Sequence, residues 1–598
     1  MSPKHFINDP GQLVYSALRA VTLTNPSVGL DAANKTIYIR PGHGPQIQRV
    51  SLISGGGSGH EPSFTSMVGA GLLSAAVAGT VFASPSAEQV RAAIMARVDH
   101  NGLGSQGSES GLLVIVMNYT GDVLNFGVAV EAARAAGANV QMVTVGDDVA
   151  VGRSRAGKVG RRGIAGTVLV QKISGALAAR GYSLEKVAHV AQLVADSTVT
   201  IGASLEHVHV PGSGESPDGL GVGEVEIGMG IHNEQGWSRE NIELPALVQR
   251  MLGYLLARDD PERSFVDFGH PSAGVVLLVN NLGGLSPLEL GGVVSEIVLQ
   301  LDTAYDIRPI RIFSGTYMTS LDASGFSITL LRLEDIGIDS VSAVDLLDDP
   351  CEALGWTAAI SKATWEADNV GVRDQDAARK PDTRPSGLTL APELAEATLM
   401  AGLRSLISSE SEITRFDLVV GDGDCGTTLK RGAQDIPPVA VLEHVSKHRF
   451  SGDIVVDLAN LVPVVEQSMD GTSGALYAIF LNALVGSLRS LAPGKATAQV
   501  WALALSKSCD VLGKYTPARP GDRTVIDALY PFIEVLGQMG DVEKASVAAI
   551  KAAEATRGLP AKLGRTVYLG GSGFEQVPDP GAWGLAMFFS GLASYELE

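Results

Sequence analysis

The chain has 598 residues, too many for one hydrophobic core, so about two to four domains are expected. Its composition, 45% hydrophobic and 18% charged, is that of a globular protein, and its 70 glycines follow no collagen-like period. The formal net charge of −20 argues against a nucleic-acid partner, because no basic surplus exists to neutralise phosphates.

Up to about residue 340, apolar β-branched runs end in Gly/Asn/Asp turns and lead into Ala-rich helical stretches. VSLISGGG (Val50–Gly57), LLVIVMNYTGD (Leu112–Asp122) and VVLLVNNLGG (Val275–Gly284) are the clearest runs. Unbroken apolar strands of this kind predict a parallel α/β sheet covered on both faces. Ligands bind at the carboxyl ends of such strands. From Ala363 to Pro385 the pattern collapses into a polar, charged segment that reads as a linker. Beyond it, segments from Ala391, Leu458, Ala475, Thr497, Thr524, Val542 and Gly581 carry apolar residues at helical spacing, which predicts an all-α domain. The longest nearly apolar run, Ala475–Leu488, is too short to span a bilayer and reads as a core helix, so no membrane partner is expected. The opening MSPKHFINDP has no apolar signal core. Cys351, Cys425 and Cys509 show no zinc or disulfide spacing, which points to a reducing, cytoplasmic compartment.

Chemistry concentrates at VGDGDCGTT, where Asp417, Asp422 and Asp424 fall within eight residues. Carboxylates so crowded repel unless a cation sits between them. Oxygen ligands on a Gly-bent loop suit Mg²⁺, which takes further ligands from phosphates. No P-loop and no protein-kinase motif set occurs, so a nucleotide would need another scaffold. The helical half offers one: Gly471-Thr472-Ser473-Gly474, Pro520-Gly521-Asp522-Arg523-Thr524 and Val577-Pro578-Asp579-Pro580-Gly581 each enter a helix, whose free N–H groups suit phosphate. Each alone reads as an ordinary capped helix; together in one domain they favour a site. In the first half, Ser54–Pro62 (SGGGSGHEP) brings backbone and His60 to one strand end, Asn118–Asp122 ends another, and His232 lies in GMGIHNE. His207 and His209, in EHVHV, share the spacing of one strand face; without a partner cluster they read as structural.

These motifs, in this order, resemble the ATP-dependent dihydroxyacetone kinase family in its single-chain form. The resemblance also includes GDDVAVGR (Gly146–Arg153), GRRGIAGTVLVQK (Gly160–Lys172), MTSLDASGFS (Met318–Ser327), GTSGALY (Gly471–Tyr477) and GDRTVIDAL (Gly521–Leu529). It implies a two-subdomain α/β substrate domain over 1–365, a linker over 366–387 and an all-α helical-barrel nucleotide domain over 388–598. It implies ATP-dependent phosphorylation of dihydroxyacetone, and also of D-glyceraldehyde, with Mg²⁺. His232 would capture the ketone as a covalent hemiaminal, Asp122 would be the general base and His60 would orient the substrate. Gly57, Ser58, Gly59 and Met117 complete the implied substrate site. Asp417, Asp422 and Asp424 would hold the metal. Asp422, Gly423, Asp424, Cys425, Thr427, Thr472, Ser473, Arg523, Pro578, Asp579 and Pro580 would contact the nucleotide. The family usually forms homodimers, and some animal members also cleave FAD to cyclic FMN. Three residues depart from the family pattern: Met117 replaces a lysine, Asp470 a glycine, and Gln235 a proline. Loss of the lysine leaves room for a different short hydroxycarbonyl substrate.

Overall fold

The computed structural model describes residues 5–44, 50–101, 110–212, 219–269, 274–334, 336–358, 360–367, 384–421, 423–433, 441, 445, 447–469, 471–563 and 576–594. The chain divides into two compact units, Met1–Asn369 and Val370–Glu598. Most of the expected linker lies outside the described residues.

The first unit is α/β. Its first sheet holds β1 (Val28–Asp31), β2 (Thr36–Ile39), β3 (Val50–Ser58), β4 (Ala75–Val81), β5 (Gly111–Met117) and β6 (Val140–Val145), in the order β1-β2-β4-β3-β5-β6. β4, β3, β5 and β6 run parallel, while β2 pairs antiparallel with β1 and β4. Both faces are covered. Leu112, Val114 and Val116 of β5 pack with Val90, Ile94, Phe126 and Val130 of helices α2 (Ala87–Asn101) and α3 (Thr120–Ala135). Leu113 and Ile115 join Ile173, Leu177, Val187 and Val194 of α4 (Thr167–Ala179) and α5 (Leu184–Asp196) on the other side. That explains why β5 has no polar alternation.

The second sheet contains β7 (Thr198–Ser204), β8 (Glu224–Ile227), β9 (Ser238–Asn241), β10 (Val275–Asn281), β11 (Arg311–Gly315) and β12 (Gly325–Arg332), in the order β11-β10-β12-β7-β8-β9. Here the expectation of parallel pairing needs correction: only β10 and β11 are parallel, and the other neighbours are antiparallel. The apolar run in β10 reports burial on two faces, not strand direction. Val276 and Leu278 join the α4/α5 layer, whereas Val275, Leu277 and Val279 pack with Val248, Leu252 and Ile297 of α6 (Leu244–Leu255) and α7 (Pro287–Tyr305). Truncating one such leucine to alanine costs about 2–5 kcal/mol.

The second unit is helical: α8 (Pro392–Ser408), α9 (Glu410–Val420), α10 (Cys425–Ala433), α11 (Ile454–Ser468), α12 (Gly471–Arg489), α13 (Ala498–Leu512), α14 (Ile526–Met539), α15 (Val542–Glu554) and α16 (Pro580–Ala593). Side chains cap several N-termini. Asp453 accepts from Val455 and Val456 N–H at the start of α11, Asp541 from Lys544 before α15, and Asp579 from Ala582 before α16. The α12 run is long and apolar enough to cross a membrane by composition, but it packs within this unit against α11 and α13. It is not the buried core helix expected: only Gly474, Leu484 and Leu488 are buried, and Leu476, Tyr477, Ile479, Phe480, Leu481 and Val485 are partly covered by three separate clusters.

Candidate functional site

The first site forms at the carboxyl ends of β3 and β5. Strand β3 carries three consecutive glycines because neighbours press on it from both sides. A Cβ on Gly55 would run into the Val77 carbonyl, and one on Gly56 would lie 2.8 Å from the Phe64 ring. Ser54 is fixed beneath them by donating to the Ile115 carbonyl at 2.6 Å. Gly57 and Ser58 finish the strand, Ser58 donating to the Gly79 carbonyl at 3.0 Å. Gly59 then takes a φ of +102°, a conformation that favours glycine, and the chain turns into His60.

His60 is fully buried. Its Nδ1 lies 2.8 Å from the Thr319 carbonyl, an acceptor only, so Nδ1 carries the proton and Nε2 presents a lone pair. That lone pair meets His232 Nε2 at 3.0 Å. Burial, followed by the charge of His232, pushes His60 down to about 3. Phe82 stacks on His60 with ring centroids 5.2 Å apart. His232 stands edge-on to His60, Phe82 and Tyr119 at 4.7, 5.3 and 4.8 Å.

Glu234 holds His232 from behind, accepting from its backbone N–H and from Nδ1, each at 2.9 Å. Burial alone would raise the Glu234 carboxyl, but these bonds, the His232 charge and Arg162 hold it at about 2. The intervening Asn233 adopts a left-handed φ of 62°, which folds the carboxylate back onto the ring. Arg162 bonds Asp148 at 2.6 Å and the Gly228 carbonyl at 2.9 Å.

Asp122 sits in the first turn of α3, 5% exposed, and its Oδ1 has no hydrogen-bond partner. Burial raises its carboxyl, opposed by Ser84 and by the charge of His232. The Tyr119 hydroxyl is likewise buried without a partner. An orphaned acceptor and an orphaned donor beside one imidazole suit a small ligand that brings hydroxyls of its own. His60, His232 and Asp122 are therefore brought together. Met117 is not among them in chemistry: it is 2% exposed and belongs to the hydrophobic core, backing onto Gly163. Glu234, Tyr119, Phe82, Arg162 and Thr319 were not selected from sequence. Glu234 carried a signal, two residues after His232. Thr319 stood in the quoted MTSLDASGFS and Phe82 in no motif, and only the tertiary fold brings the two to His60.

His207 is engaged elsewhere, 2.7 Å from Glu226, and His209 meets His5 at 3.0 Å. Among the described residues, no three His, Cys, Asp or Glu side chains stand close enough to hold a metal. Asp422, expected in both the metal and nucleotide sets, lies outside the described residues.

The second site gathers helix starts in the helical unit. Asp417, 8% exposed near the end of α9, accepts from Cys425 N–H at 2.9 Å and so ties α9 to the start of α10. Gly423 turns this loop with a φ of 80°, and Asp424 and Thr427 are exposed at the opening of α10. Burial and then the charges of Asp417, Asp579 and Asp424 push the Cys425 thiol up, while a bond with Ser473 at the start of α12 opposes them. Thr472 is exposed beside Ser473. Pro578, Asp579 and Pro580 lead into α16. Burial raises the Asp579 carboxyl to about 7; its bond from Ala582 and the Arg523 charge pull it down, and Asp527 and Asp417 push it up. Arg523 is held by the Leu559 and Val577 carbonyls, both at 2.9 Å. Asp579 feels the charges of Asp417 and Asp527, and Cys425 those of Asp417, Asp579 and Asp424, so carboxylates, the kind of donor a hard cation takes, gather at the starts of α10 and α16.

The first unit thus sets two imidazoles beside a buried carboxylate with an unpartnered oxygen, and the helical unit gathers carboxylates at helix starts; the comparisons give the class of protein, a phosphotransferase. Family models match both parts of the chain, the Dak1 domain over residues 19–355 and the DAK2 domain over 419–594. The chain is 41% identical to a dihydroxyacetone kinase of Pichia angusta, covering 99% of this chain and 98% of that one. It is 35% identical to the human triokinase/FMN cyclase, with 97% of each covered. The dihydroxyacetone kinase from C. freundii, solved in complex with AMP-PNP and Mg²⁺, superposes with a TM-score of 0.61 at 32% identity, covering 100% of both chains. The chain belongs to the dihydroxyacetone kinase family, in its single-chain form.

Proposed function

We propose that this enzyme phosphorylates dihydroxyacetone with ATP and Mg²⁺, and accepts D-glyceraldehyde as well. The observation that carries this reading is the His60–His232 contact beside the unpartnered Asp122 carboxylate oxygen. His232 Nε2 adds to the substrate carbonyl carbon, the carbonyl π pair moves to oxygen, and that oxygen takes a proton, giving a hemiaminal. Only a carbonyl compound can be captured this way, so glycerol is rejected. Capture also fixes the terminal hydroxyl for transfer. Asp122 accepts that hydroxyl's proton. Bound Mg²⁺–ATP supplies the phosphoryl group, its charge neutralised by the metal. Asp417 and Asp424, with Asp422, are proposed to hold the metal, and the starts of α10, α12 and α16 with Arg523 to take the phosphates. The family resemblance supports a homodimer, and the free cysteines Cys351, Cys425 and Cys509 support work in the cytoplasm.

A second reading adds FAD cleavage to cyclic FMN at the same donor site. It rests on the printed name of the human relative, whose identity of 35% is below the 41% of the yeast kinase. The test is native intact mass of the full chain with dihydroxyacetone, together with ADP release. A gain of one triose, absent from His232→Ala, with ADP formed on adding Mg²⁺–ATP, is expected. ADP release without any adduct overturns the covalent step; neither signal overturns the substrate.

A further inference from the structure

Arg97 lies in the second half of α2 and is 6% exposed. Its Nη1 donates to the Ile39 carbonyl at 3.1 Å, and its guanidinium lies over the Tyr38 ring, 5.1 Å from the centroid. Nε and Nη2 share the other edge of the planar fork, and among the described residues they meet no acceptor. Elsewhere the chain gives that edge a carboxylate. Arg311 donates from Nε and Nη2 to Asp348 at 2.9 and 2.6 Å, and Arg180 donates from the same pair to Asp349 at 2.6 and 2.7 Å. Burial pulls the Arg97 guanidinium down from its ordinary value, and Tyr38 is the group that opposes this. A buried cation without a carboxylate is costly unless an anion reaches it.

Arg97 lines a cavity of 320 Å³ between α2 and the β1–β2 pair, and neither Nε nor Nη2 is sealed inside the protein. The volume is within the range of small-molecule sites. Room exists because three of the walls are alanines: Ala75 at the start of β4, and Ala93 and Ala96 on the turn of α2 that leads to Arg97. Thr36 and Tyr38, two apart on one face of β2, bound it from the sheet. Asp31 bounds it at the end of β1. Its Oδ1 accepts from Ala33 and Asn34 N–H, whereas Oδ2 accepts from the Asn34 side-chain amide at 2.7 Å and has a lone pair left for a hydroxyl. This cavity is separate from the first site: Ala75 pairs with Ile53, ahead of the three glycines of β3, and His60 comes after them.

We propose that this cavity is a second small-molecule site, which binds a short hydroxylated carboxylate: the carboxylate pairs side-on with Nε and Nη2 of Arg97, and a hydroxyl donates to Asp31. The planar fork matches a carboxylate in two parallel bonds. One guanidinium balances one negative charge, and Asp31 in the wall repels a second, which favours a carboxylate over a phosphate dianion.

The test titrates the full chain by calorimetry, at constant ionic strength, with D-glycerate, acetate and glycerol 3-phosphate. D-glycerate has a carboxylate and hydroxyls, acetate has the carboxylate alone, and glycerol 3-phosphate has hydroxyls with a phosphate dianion. D-glycerate is expected to bind the native chain more tightly than either of the others. Arg97→Met should weaken it about tenfold or more, the loss of a charge-assisted pair. Ala96→Leu changes an exposed helix position, so the fold is kept; it fills the cavity and should weaken D-glycerate with Arg97 still in place. Asp31→Asn should narrow the gap between D-glycerate and glycerol 3-phosphate. His232→Ala should leave D-glycerate binding unchanged. No binding of D-glycerate to the native chain at millimolar concentration overturns the proposal, as does binding that neither Arg97→Met nor Ala96→Leu weakens. Loss of binding in His232→Ala overturns it too, by placing D-glycerate in the first site. Glycerol 3-phosphate binding as tightly as D-glycerate overturns the carboxylate class.

Discussion

His60 is fully buried and no carboxylate is bonded to it, so its lowered pKa has a consequence for stability. Unfolded, a histidine titrates at its ordinary 6.5; folded, His60 titrates at about 3. Between those values the unfolded chain binds the extra proton, so stability falls as pH drops through the window and is fully recovered above 6.5. His60 alone should cost about 2 kcal/mol on going from about pH 7 to pH 5. Urea unfolding of the first unit at the two pH values should show that loss in the native chain and a loss smaller by that amount in His60→Asn. Asp122 separates capture from chemistry. Asp122→Asn should lower kcat by about 10²–10⁴ while the triose adduct persists in native mass spectra, because the base acts on the terminal hydroxyl and not on the carbonyl. His60, His232 and Asp122 were legible because each stands in a glycine-rich or strand-ending motif. The orientation of His232 was not, since it depends on the Glu234 carboxylate on one side and on His60, itself held by the Thr319 carbonyl, on the other.

At the scale of elements, the connection from β6 to α4 shows why two motifs could be seen and not assigned. Asp147 accepts from Ile164 N–H at 2.7 Å, Gly166 N–H at 2.8 Å and the Thr200 hydroxyl at 2.6 Å, which ties the entry of α4 to β7. Asp148 takes Arg162, and Arg162 leans on the Gly228 carbonyl ahead of β9. These partners are far apart in sequence, and spacing alone does not pair them. The Asp148 side chain is 1% exposed, so losing its cation is severe. Arg162→Met should destabilise the first unit by about 3–5 kcal/mol. Asp148→Asn with Arg162→Met should be less destabilised than the sum of the two single variants, as measured by denaturant unfolding, because the double variant leaves no buried unpaired charge. The direction of the strands was similarly hidden. β5 and β10 read alike, yet one lies in the parallel part of its sheet and the other pairs antiparallel with β12, because helices on both faces erase the alternation that would have told them apart.

Across the whole molecule, the change from strand–helix alternation to helices alone was plain in the sequence, because the hydrophobic period itself changes near the polar segment from Ala363. The short helix α9 escaped notice, although it carries Asp417: its apolar positions Ile413, Phe416 and Val420 are few and the acidic motif begins before it ends. Each unit holds its own apolar cores and its own candidate site, so the two proposed ligands should report on different parts of the chain. A ligand that binds only the native state raises its stability by about 2.7 kcal/mol at a hundred times its Kd. Calorimetry of the full chain should therefore show dihydroxyacetone shifting one part of the unfolding profile and Mg²⁺–AMP-PNP another. In His232→Ala the triose shift should shrink while the nucleotide shift persists. In Asp424→Asn the reverse is expected, since removing one carboxylate weakens the hold on Mg²⁺ without touching the first unit. If Asp424→Asn leaves the nucleotide shift intact, the acidic loop is not the metal site, and the raised Asp579 carboxyl would then reflect only burial among like charges.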